Sequence, residues 1–161
     1  MKLPVQPLDK GNFKPFGDVI ELDGCEHFPI NQGTTERFHN LANLDLNVVG
    51  GKPILSIFES QPRPAPIKLE VMERHSLGSQ AFYPLQNHDW LVVVAQGEDP
   101  TNFDNLKAFR ATGTQGVNYA RGTWHHPLLV LHPNSRFIII DRSGPGNNLE
   151  EIEFKNDVHL A

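Results

Sequence analysis

The sequence predicts an all-β fold, a sandwich or a barrel, on three observations. Short apolar segments recur along the chain, and thirteen prolines and thirteen glycines punctuate them. No stretch holds a helical period beyond about two turns. The gaps carry turn chemistry, as in Gly-Glu-Asp-Pro at 97–100, His-Pro-Asn-Ser at 132–135 and Gly-Pro-Gly-Asn-Asn at 144–148.

In chain order, Asp9–Lys14 fits a short helix with Asp9 as its N-cap, since an aspartate side chain accepts from otherwise free first-turn amides. The rest of the first 50 residues is irregular, and 40–51 reads as loop, strand or edge element. Strands are expected at 54–58, 67–75, 80–85, 90–95, 106–111, 127–131, 136–141 and 149–154, each a short apolar or alternating run between breakers. No repeat, low-complexity tract or linker divides the 161 residues, so 1–161 is expected to form one domain.

Composition excludes several classes of function. The net charge of −5 is spread without a basic run, which argues against nucleic acid. The longest strongly apolar runs, 90–95 and 137–140, are far short of a membrane span, and the first residues lack the apolar core of a secretory signal. Cys25 is the only cysteine, so no intrachain disulfide can form. A soluble cytoplasmic protein acting on a small molecule is the expectation.

The chemistry is expected to sit on the strand 67–75. Its odd positions are Ile67, Leu69, Val71, Glu73 and His75, and its even positions Lys68, Glu70, Met72 and Arg74. Period-two alternation makes the odd face the buried one. Glu73 and His75 then end an apolar face, and a buried carboxylate needs a cation, a proton or a metal as partner. Arg74 points away. Gln80 follows beyond a turn at 77–78, and His125 stands at the start of another strand. A Glu-x-His pair at a strand end is also compatible with an exposed rim pair. His126 and Trp124 have the opposite parity to His125, which suits packing or a subunit interface.

Two motifs carry a resemblance. Glu73-x-His75-x4-Gln80 resembles the first motif of the cupins, His-x-His followed by Glu, with Glu73 in place of a His and Gln80 in place of the Glu. Ala120-Arg-Gly-Thr-Trp-His125 resembles the second, Pro-x-Gly-x-x-His. The fold this implies is a cupin-like double-stranded β-helix, a jelly-roll barrel with a short N-terminal helix and an irregular N-terminal segment. Metal ligation by Glu73, His75, Gln80 and His125 is also implied, with one divalent ion, nickel or another first-row metal.

The blocks 30–42, 73–85 and 116–128, with 16–21 and 140–142, are similar to the ureidoglycolate lyase family of allantoin catabolism. That resemblance implies cleavage of (S)-ureidoglycolate to glyoxylate and urea by a homodimer. Glu73, His75 and His125 would share the acid, base and ligand roles. The substrate carboxylate calls for arginine. Arg121 is the first choice, sharing the parity of His125 if the segment is extended, and Arg37 the second. Asn118 and Tyr119 would bind the ureido group. Competing readings are an amidohydrolase on the same substrate and a non-catalytic cupin that binds a small acid.

Overall fold

The computed structural model describes residues 1–161. Its strands are β1 (Lys2–Leu3), β2 (Val5–Pro7), β3 (Gly17–Ile20), β4 (Glu26–Ile30), β5 (Thr35–His39), β6 (Lys52–Ser60), β7 (Val71–Arg74) and β8 (Gln80–Pro84). They continue as β9 (Trp90–Ala95), β10 (Leu106–Ala111), β11 (Gly116–Tyr119), β12 (Trp124–His125), β13 (Leu129–Val130), β14 (Ser135–Ser143), β15 (Glu150–Glu153) and β16 (His159–Leu160). The one α-helix, α1 (Lys10–Phe13), has Asp9 as its N-cap in a reciprocal capping box with Asn12. No helix is long and apolar enough to cross a membrane.

Two sheets build the body. A seven-stranded sheet runs β15-β7-β12-β9-β10-β2, with β13 also on β9, and a five-stranded sheet runs β3-β11-β8-β14-β6. The architecture is all-β and cupin-like. Hydrogen bonding nevertheless leaves two open sheets rather than a closed barrel, because β6 and β15 end their sheets unpaired on the outer side.

One core lies between the sheets and a second lies outside the larger sheet, and β9 shows why. Trp90, Val92 and Val94 face the first core with Phe82, Tyr119, Phe137 and Ile139. Leu91, Val93 and Ala95 face the second with Leu3, Met72, Trp124 and Val158. A strand covered on both faces reads as an unbroken apolar run rather than an alternation. The terminal strands β1 and β16 pair with each other and bring Leu3 and Leu160 to that outer core.

The second core corrects the reading of 67–75. The strand spans only Val71–Arg74, and Met72, on its even face, is fully buried. Met72 lies in the outer core with Leu69, which stands outside the strand. Similarly, 127–131 contains only β13, and His125 belongs to the separate β12. The first 50 residues hold β1 to β5, with β4 and β5 pairing as a hairpin. That hairpin is mostly exposed and carries no apolar alternation, so its pattern was silent.

Candidate functional site

The central row of the larger sheet places the chemistry. Glu73 of β7 lies opposite His125 of β12, which lies opposite Val94 of β9. Residues in one row share a face, and Val94 belongs to the core between the sheets. Glu73 and His125 therefore point inward. His75, two residues beyond Glu73, joins them, and one donor atom from each of the three lies within 4.8 Å of the others.

Hydrogen bonds set the two imidazoles. Nδ1 of His75 lies 2.8 Å from the Asn148 carbonyl oxygen, and Nδ1 of His125 lies 3.0 Å from that of Thr123. A carbonyl only accepts, so each Nδ1 carries a proton and each Nε2 turns into the cluster. Both Nε2 atoms are buried without a hydrogen-bond partner. His125 Nε2 stands 3.3 Å from Glu73 Oε1. Two acceptors so close repel unless positive charge lies between them. A proton shared by His125 and Glu73 would meet the need, and so would a cation.

Burial opposes ionisation of Glu73, but the hydrogen bond and charge of His125, with His75 and His126 adding, outweigh it and hold its carboxyl below the usual range. The Tyr119 ring stacks on His125 at 4.0 Å between centroids and 8° between planes. Burial first, and the Glu73 carboxylate second, push the Tyr119 hydroxyl far above its ordinary pKa, so it stays protonated. Gln80 pairs with Tyr119 in register and shares its inward face. Gln80 donates from Nε2 to Asp141 Oδ2 at 3.1 Å, while its Oε1 is buried and unpartnered.

His126 lies just outside β12 and is also buried. Burial, opposed by its bond to the Pro127 carbonyl, brings its pKa down to about 4, and the charges of Arg63, Glu73 and His125 all reach it. Strand alternation therefore fails to remove His126 from the neighbourhood of the site, because the strand has ended. Trp124 does face away, into the outer core. Arg74 stacks over it at 4.6 Å and pairs with Glu150.

The remaining expected site residues are placed elsewhere. Ala120–Thr123 forms a turn closed by the Thr123 amide on the Ala120 carbonyl, with Gly122 at φ 81°. The segment is thus not extended, and Arg121 does not share the face of His125. It lies 3.5 Å from Asp45, beside Asn118 in a shallow depression of about 230 Å³. Asn118 is buried there, donating to Asp18 and to the Asn43 carbonyl. Arg37 sits on the β4–β5 hairpin over the Phe28 ring.

Glu73 opens onto a cleft of about 510 Å³ at the side of the sandwich, between Phe58, Ser60 and Phe82 on one side and Pro127 and Leu128 on the other. Arg63 lines the same cleft. No sequence pattern singled out Arg63, because it lies in the Pro-rich loop between β6 and β7 and reaches the cleft of Glu73 only through the fold. A larger depression of about 660 Å³ near Glu98 and Lys155 contains no histidine and none of the cluster.

The family model described as ureidoglycolate lyase matches residues 1–161. The chain belongs to the ureidoglycolate lyase family. A ureidoglycolate lyase of Burkholderia mallei (strain NCTC 10229) is 50% identical over 159 residues, covering 99% of this chain and 93% of its own. That of Burkholderia cepacia is 51% identical, covering 93% and 85% respectively. That of Stutzerimonas stutzeri (strain A1501) is 46% identical, covering 98% and 93%. Among solved structures, a dTDP sugar isomerase from Desulfovibrio desulfuricans G20 superposes over 84% of this chain and 83% of its own at 16% identity and a TM-score of 0.47. Within the ureidoglycolate lyase family, Glu73, His75 and His125 are the residues of this chain whose geometry can support proton transfer or hold a cation.

Proposed function

We propose that the chain cleaves (S)-ureidoglycolate to glyoxylate and urea in allantoin catabolism, with chemistry centred on Glu73, His75 and His125. The observation that carries the site is Nε2 of His125 facing the Glu73 carboxylate at 3.3 Å. The substrate bears a hydroxyl and a ureido nitrogen on one carbon. Its hydroxyl proton leaves as the carbonyl of glyoxylate forms, the carbon–nitrogen bond breaks, and a proton reaches the departing nitrogen to give urea. No water is consumed. Of the three cluster residues, Glu73 alone lines the cleft, and its lowered pKa keeps it ionised. It is placed to take the hydroxyl proton and return one to the urea nitrogen. Tyr119 and the Asn148 and Thr123 carbonyls hold the imidazoles in position.

The same atoms fit a divalent first-row ion such as nickel: two bare imidazole nitrogens fixed by carbonyls on their far side, and one carboxylate. When bound, such an ion would lower the pKa of the substrate hydroxyl. Gln80, with its free buried Oε1, is the further donor in this reading. The enzyme acts as one domain and as a homodimer. The dimer is supported by the unpaired outer edge of β6, on which Leu55 is 68% and Ile57 58% exposed. A cytoplasmic location belongs to the same reading, supported by the free thiol of Cys25.

Incubation of the purified protein with (S)-ureidoglycolate tests this reading. Glyoxylate and intact urea should appear in equal amounts, and Glu73→Gln should lower kcat by about 10²-fold or more. Ammonia in place of urea would identify an amidohydrolase instead. Loss of turnover on chelation with recovery on added nickel would place the ion on the cluster; full activity after chelation would leave the proton as the charge between His125 and Glu73.

A further inference from the structure

We propose that Arg63 is the residue that binds the substrate carboxylate. The inference rests on the lyase reading, in which the substrate is a small anion entering the cleft beside Glu73. A carboxylate entering the cleft calls for a fixed cation, and arginine suits it because its planar fork donates two parallel hydrogen bonds.

Arg63 is the one cationic side chain lining the cleft. One of its terminal nitrogens donates to Glu70 Oε2 at 2.6 Å, and its guanidinium has no other hydrogen-bond partner. Glu70 thus holds one corner of the fork and leaves the other N–H groups for a ligand. Only two residues separate Glu70 from Glu73 along the chain, so the clamp and the reacting centre are set by one segment. The other acid in the cleft, Glu59, is taken up by Arg136 at 2.7 Å and does not compete for Arg63.

The remaining arginines lie outside the cleft. Arg74 pairs with Glu150, Arg110 with Asp89 and Arg121 with Asp45. Arg142 is buried and donates to three backbone carbonyls. Arg37 lies over Phe28 on the hairpin.

The test compares wild type with Arg63→Met, Arg63→Lys and Glu70→Gln, each confirmed folded by its thermal midpoint. Arg63→Met should raise KM for (S)-ureidoglycolate by about 10–100-fold, as for loss of a charge-assisted hydrogen bond, while kcat stays within about threefold. Arg63→Lys should recover part of the loss, and Glu70→Gln should raise KM less than Arg63→Met. Inhibition by glyoxylate, which keeps the carboxylate, should weaken in parallel with KM, and inhibition by urea, which lacks it, should not. An unchanged KM in Arg63→Met, or a fall in kcat at constant KM, overturns the proposal. If wild type forms no glyoxylate at all, the lyase reading fails on its own. Calorimetric binding of glyoxylate to wild type and Arg63→Met then decides Arg63 independently: equal affinities overturn it, and a 10-fold or greater loss, about the lower bound for one charge-assisted bond, supports it.

Discussion

His125 and His126 are neighbours, both buried, yet their surroundings give them different properties. His125 has its Nδ1 on a carbonyl and its Nε2 aimed at Glu73. His126 is held neutral chiefly by burial, with a pKa down to about 4. An imidazole in the unfolded chain titrates near its ordinary value of about 6.5, so between that value and about 4 the unfolded state binds the extra proton. Stability is therefore complete above this window and falls as pH drops through it. Urea unfolding should show a loss of about 2 kcal/mol from this group between pH 7.5 and pH 5, and His126→Phe should remove that part of the slope. An identical slope in the variant would assign the loss to other groups. The same residue shows a limit of pattern reading. Resemblance to the second cupin motif places His125 inward correctly, but alternation cannot be extended from it to His126, because β12 ends between them.

At the scale of elements, local chemistry was legible wherever it was strong. The helix of four residues is bounded by Asp9, whose side chain accepts from the Asn12 amide while Asn12 accepts from the Asp9 amide. So short a helix cannot nucleate by itself, and its packing of Phe13 against Phe16 and Phe109 depends on that start. Asp9→Ala should cost about 1 kcal/mol in chemical denaturation; a change below about 0.3 kcal/mol would show that the aromatic packing alone holds the turn. Strands 90–95 and 106–111 match β9 and β10 residue for residue, because breakers flank them closely. The strand at 67–75 was over-extended, since burial of Leu69 and Met72 against the terminal segments breaks a simple two-residue period. The β4–β5 hairpin and the strands β1, β2, β11 and β12 left no reliable pattern, being short, polar or exposed.

At the scale of the whole molecule, the open side of the sandwich holds the site and, in the proposed homodimer, the contact between copies. The outer edge of β6 is free, and Phe58, whose ring meets Phe82 at 5.9 Å, carries that strand to the cleft of Glu73. Antiparallel self-pairing about Ser56 would set Leu55 opposite Ile57 of a second copy, burying the two most exposed large hydrophobics of the strand. Leu55→Lys with Ile57→Lys should convert a dimer to a monomer in light scattering, with the fold retained by circular dichroism; a dimer that persists places the contact on another surface.

The sequence by itself determined the fold class, the family and the inward placement of Glu73, His75 and His125. These follow from breaker spacing, from alternation and from motifs whose order survives along the chain. Only the tertiary structure decided which arginine meets the cleft. Arg121 stands four residues before His125, yet a turn at Gly122 carries it to Asp45. Arg63 lies ten residues before Glu73 in a Pro-rich loop and arrives in the same cleft. A side chain's direction is local only while the backbone stays regular. Across a turn or a loop it is set by packing between distant segments, which no local period encodes.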